Sequence, residues 1–134
     1  MNSDILNSKL YQDFLDKNPG KGNLKIRAYA ASEALPISGL HVVVSTIFEN
    51  QVIIFFDGYT DASGMVPTIS LPAAKLDLDN LVAPVPTIYS IAASFDSLEK
   101  QEYVVQMYDS VCVVQNINFV PGGMSNGNSV SYRS

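Results

Sequence analysis

The feature that most limits what this chain can become is a change of hydrophobic period. Up to residue 17, Ile5, Leu6, Leu10 and Phe14, with Tyr11 beside them, recur at helical spacing along one stripe. Ser3 is placed to cap that helix, with Asp4 in the first turn, where the unpaired amides favour negative charge. Asn18-Pro19-Gly20 ends it, and its apolar stripe has to be buried, against this domain's own sheet or against a neighbour. After the stop the period falls to two: Leu24, Ile26, Ala28 and Ala30 alternate with Lys25, Arg27 and Tyr29. Successive side chains of a strand point to opposite faces, so this is a strand with one wet face. The helical period does not return.

The rest of the chain reads as short strands separated by turn residues. His41 to Phe48 is a second strand, and Glu49-Asn50-Gln51 reverses the chain tightly into a third, Val52 to Asp57. Residues 58–64 form a loop, and Val66 to Leu71 a fourth strand. The stretch from Pro72 to Pro86 is rich in Pro and Asp/Asn and is expected to be a long loop. Thr87 to Phe95, Glu102 to Met107 and Val111 to Phe119 supply three more strands, separated by Asp96-Ser97 and Tyr108-Asp109-Ser110. Seven short strands at near-regular spacing predict an all-β fold, a seven-strand antiparallel β-sandwich with a short N-terminal α-helix. The expected division is residues 1–20 for the helix and its stop, 21–121 for the sandwich, and 122–134 for a loose Gly/Ser/Asn-rich tail.

Composition removes several function classes. The net charge is −5, and eight basic residues spread along 134 argue against nucleic acid, which needs clustered cations. No apolar run approaches the ~20 residues that cross a bilayer. The first residues, Met1 to Leu6, lack the basic and apolar regions of a signal peptide, so synthesis in the cytosol is expected. A single cysteine, Cys112, lies in an apolar stretch and is expected to be a small buried hydrophobe.

Chemistry-bearing residues are sparse. The one histidine, His41, stands at a strand start with no second ligand at metal spacing, and reads as an ordinary strand-edge residue. Asp57 and Asp61, in the segment from Asp57 to Gly64, are weak candidates for calcium, because the order of an EF-hand loop is not met. The alternative for that segment is a turn, with Thr60 and Asp61 bonding the backbone and Gly64 taking a positive φ. Asp77, Asp79 and Asn80 read as solvated loop charges rather than a glycosidase pair. Residues 122–127 lack the Lys-Ser/Thr ending of a phosphate loop. No metal and no cofactor are therefore expected. Tyr29 and Tyr59 are the tyrosines expected to be exposed, and with Leu6, Leu10 and Phe14 of the helix they are the candidate interaction residues.

The order of parts resembles a known family. Leu24 to Val44, then Gly58-Tyr59-Thr60-Asp61-Ala62-Ser63-Gly64 and Ile69-Ser70-Leu71-Pro72, are similar to the carboxypeptidase regulatory-like, or transthyretin-like, domain. More narrowly, Leu71-Pro72-Ala73, Pro86 to Tyr89, and Val114 to Pro121 resemble the N-terminal domain of clostridial spore cortex-lytic enzymes. The resemblance covers roughly residues 23–121, names no catalytic residue, and leaves the helix outside the usual domain. It implies a free-standing accessory or assembly module, spore- or particle-associated, that binds a protein partner, a copy of itself or peptidoglycan. Alternatives are an adaptor subunit of a phage tail or injection particle, and a carbohydrate-binding module, which the absence of Trp weakens. A relative of this fold that acts on hydroxyisourate is a hydrolase. Such chemistry is expected to use several His and Arg, and one His with Arg27 and Arg133 predicts that this chain is not an enzyme.

Overall fold

The computed structural model describes residues 2–30, 35–75, 85–95 and 100–119, with side chains from Lys9 onward in the helix and to Asn118 in the last strand. Helix α1 (Asn2–Lys17) is followed by β1 (Gly20–Ala30), β2 (Leu35–Pro36), β3 (His41–Phe48), β4 (Gln51–Tyr59), β5 (Ile69–Ala73), β6 (Thr87–Ser94), β7 (Gln101–Met107) and β8 (Cys112–Phe119). Two four-stranded sheets result. In the first, β1 is central, with β5 and β2 along one side and β8 along the other; the second runs β4-β3-β6-β7. The chain is an all-β sandwich with an N-terminal helix. Asp77, Asp79, Asn80, the Asp96-Ser97 reversal and the 122–134 tail lie outside the described residues.

Alternation builds the core. Leu24, Ile26 and Ala28 of β1 face Val42 and Val44 of β3 and Tyr89, Ile91 and Ala93 of β6 across the sandwich, all fully buried. Each such aliphatic side chain contributes about 1.5–3 kcal/mol on leaving water. Tyr89 carries its hydroxyl into this interior and donates to the Pro72 carbonyl at 2.5 Å, tying β6 to β5 between the two sheets. Burial raises its phenol above the ordinary value, so it remains a donor.

Three expectations about the strands are corrected. The sandwich is not antiparallel throughout, because β8 runs parallel to β1 from Asn23↔Cys112 to Ala30↔Phe119. A strand following a tight turn is normally read as the antiparallel partner of its predecessor. Here the turn at Tyr108-Asp109-Ser110 carries the chain from one sheet to the other. Ser110 N–H donates to Lys21 O and Asn23 N–H to Val111 O, seating the turn beside β1, on the side away from β5 and β2. The two-residue β2 is an eighth strand. Cys112 is exposed rather than buried, because this register puts it beside Asn23 on the outward face of β1.

The helix packs on this chain's own sandwich. Of the two covers open to the stripe, this domain's own sheet is the one found: Leu10 and Phe14, named as interaction candidates, are 7% and 3% exposed and belong to this chain's own interior. The Phe14 ring packs on Phe48 at 5.3 Å, Phe55 at 5.6 Å and Tyr89 at 6.3 Å. Asn18 holds the helix end: its Nδ2 donates to Phe14 O, and its Oδ1 accepts from Thr87 Oγ1 on β6. The described part of the stripe, Leu10 and Phe14, is thus covered by this chain. The Leu6 side chain lies outside those described.

Phe14→Ala removes the aromatic anchor of α1 and is expected to destabilise the domain by about 3–5 kcal/mol in urea unfolding followed by circular dichroism.

Candidate functional site

The β3–β4 hairpin brings together His41, Asp57 and Tyr59. Glu49 and Asn50 both have positive φ, 51° and 64°, the two-residue turn whose twist suits a hairpin. From that turn the register runs Phe48↔Gln51, Ile47↔Val52, Thr46↔Ile53 and Ser45↔Ile54, and then shifts to Val44↔Phe56, with Phe55 as the additional residue of a β-bulge. An unbroken register would place Gly58 opposite His41. The bulge places Tyr59 there and turns Asp57 to the same outward face.

The three side chains meet. His41 Nε2 lies 2.6 Å from Asp57 Oδ1, and the Tyr59 ring stacks on the imidazole with centroids 4.9 Å apart and planes 24° from parallel. The pair is open to solvent, at 34% and 57% side-chain exposure, so it orients the ring more than it stabilises the fold. The sequence reading gave His41 no partner; the bulge that supplies one has no turn residue to announce it.

Beyond this polar end, the same face is apolar. Ile47 is 72% exposed, Val104 69%, Val52 60%, Ile54 57% and Ile88 44%, all on outward positions of β3, β7, β4 and β6. The signal was present in Val52-Ile53-Ile54-Phe55-Phe56, a continuous apolar run, which in a strand means both faces call for cover. β4 is an edge strand, and half of that run meets solvent.

The remaining candidates fall elsewhere. Thr60 is buried; its Oγ1 accepts from Leu40 N at 3.0 Å and donates to Ile37 O at 2.6 Å. Asp61 Oδ1 accepts from Ser63 N at 2.8 Å and Met65 N at 3.0 Å, and Gly64 has φ +77°, so this segment is an internally bonded turn. Asp57 and Asp61 are thus engaged separately, one with His41 and one with its own loop. Among the described residues no three His, Cys, Asp or Glu side chains gather. Tyr29 is half-buried on the outer face of the other sheet; the Arg27 guanidinium lies 5.3 Å above its ring and donates to its hydroxyl. Tyr29 and Tyr59 therefore stand on opposite sides of the sandwich.

No family model matches the chain, and no curated protein does. Among solved structures, 5-hydroxyisourate hydrolase of Klebsiella pneumoniae is 17% identical, over 76% of this chain and 92% of that one, with a TM-score of 0.51. The fold is transthyretin-like. Transthyretin from Sparus aurata is 15% identical, over 72% of this chain and 89% of that one, with a TM-score of 0.46. The hydrolase corrects the expectation that this chain is not an enzyme. A transthyretin-like fold carries a reaction there, so the fold is no ground for excluding one.

Thr60→Val strands the Leu40 amide and the Ile37 carbonyl and is expected to cost about 1–3 kcal/mol. Asp57→Asn, at an exposed pair, is expected to cost less than about 1 kcal/mol. Guanidinium unfolding of the two variants beside the parent separates a structural loop from a surface pair.

Proposed function

We propose that this chain is a protein-binding and assembly module whose working surface is the outer face of the β4-β3-β6-β7 sheet. The observation that carries the reading is the cluster of Ile47, Val52, Ile54, Ile88 and Val104 at neighbouring outward positions. Scattered exposed aliphatics are ordinary on a protein surface, but a contiguous patch of them marks a contact. The polar rim of Asp57, His41 and Glu102 beside it matches the anatomy of protein interfaces, which are apolar in the middle and wet at the edge. Branched aliphatics suit a protein surface better than a sugar polymer, so peptidoglycan is a secondary candidate.

The resemblance to the N-terminal domain of spore cortex-lytic enzymes supports a place in a spore-forming bacterium, with a spore- or particle-associated location. Leu71-Pro72-Ala73, which pairs with Gly20 to Gly22, together with Pro86 to Tyr89 and Val114 to Pro121, carries this part of the reading.

Immobilised protein and its Ile47→Lys/Val104→Lys variant, both verified by thermal melting, are expected to differ in what they retain from lysate of the source cells. Proteins held by the parent and lost by the variant support the reading. Identical retention by both would show that this face is not the working surface.

A further inference from the structure

Resting on that reading, we infer that the occupant of this face is a second copy of the same chain, packed face to face about a two-fold axis that lies across the strands. The outward side chains fall into rows. One row is Ile54, Ser45, Ser90 and Val104, fixed by the pairings Ser45↔Ile54, Ser45↔Ser90 and Ser90↔Val104. The next row toward the β3–β4 turn is Val52 and Ile47, with Ile88 and its partner Gln106 in step on β6 and β7. A two-fold between these rows lays each upon the other. Ile47 then faces the second copy's Ser45, and Ile88 faces its Ser90.

Large branched side chains thus enter the spaces left by small ones, twice over. An isologous contact requires such complementarity of a patch with itself. Ser45 and Ser90 are opposite each other on adjacent strands, so their hydroxyls can bond to one another when water leaves.

Charge selects the axis. The row on the other side holds Asp57 at one edge and Glu102 at the other, through the pairings Val43↔Asp57, Val43↔Ala92 and Ala92↔Glu102. A two-fold along the strands would lay β4 over the second copy's β7 and set Asp57 against Glu102, carboxylate on carboxylate. The axis across the strands leaves this row beyond the contact at both ends, in water. Two rows on four strands ~4.8 Å apart give a contact near the lower limit for a specific interface, roughly 1,000 Å² in total. The dimer is accordingly weak and concentration-dependent.

Sedimentation velocity over a concentration series tests this. The parent is expected to shift toward twice the monomer mass as concentration rises, and Ile47→Lys to stay at the monomer mass while melting as a folded protein. In a Cys112→Ser background, Val104→Cys mixed with Gln106→Cys is expected to cross-link on oxidation, because the across-strand axis sets those positions face to face. A parent that remains monomeric at every concentration overturns the self-association and leaves the protein-binding reading standing, provided Ile47→Lys/Val104→Lys still loses its lysate partners. A dimer that Ile47→Lys does not weaken overturns the assigned face. Failure of the lysate comparison together with a monomeric parent removes both readings.

Discussion

The bulge at Phe55 sets which side chains of β4 face in and which face out beyond the middle of the β3–β4 hairpin. A two-residue turn dictates the register near the tip of the β3–β4 hairpin, and one additional residue changes it for everything beyond. Phe55 lies on the interior side by simple alternation with Ile53, and the change puts Phe56 on that side next to it. Phe55 meets Tyr89, Phe14 and Tyr11 at centroid distances of 5.5, 5.6 and 5.7 Å, the aromatic contacts that hold α1. Phe56 folds over Gly58, where a Cβ would come within 2.8 Å of its ring. The same shift brings Asp57 and Tyr59 round to His41. The inward turn of Phe56 and the polar end of the outer face thus share one cause.

What the sequence made legible is what depends on local period and turn chemistry. The alternation in β1, the Glu49-Asn50 reversal and the positive φ of Gly64 follow from rules that act over a few residues. The parallel pairing of β8 with β1 does not, because it depends on which sheet has an open side when the chain arrives. Cys112 is exposed for the same reason: its surroundings are decided by a strand ninety residues earlier. In the candidate site, Tyr59 was named and His41 was noted, but a one-residue register shift with no compositional mark joins them to Asp57.

The two outer faces of the sandwich have different characters. On the β1 side, Lys21, Asn23, Lys25 and Arg27 stand exposed in alternation along one strand. On the β3 side, aliphatic residues hold the corresponding positions. The difference does not come from core packing, since the inner faces of both sheets alternate equally well. A sheet face that only met water would gain solubility from charges in place of Ile47 and Val104. That contrast is why the apolar face, rather than the single histidine, carries the functional reading.

The parallel pairing of β1 and β8 also has a mechanical consequence. Tension applied before β1 and after β8 pulls two parallel neighbours from opposite ends of their shared ladder. Eight residue pairs, from Asn23↔Cys112 to Ala30↔Phe119, then resist in shear, loaded together. An antiparallel pair joined by a tight turn and pulled from its open end would instead unzip one bond at a time. The crossing of the chain at Tyr108-Asp109-Ser110 thus makes this sandwich a stiff link along its own chain direction.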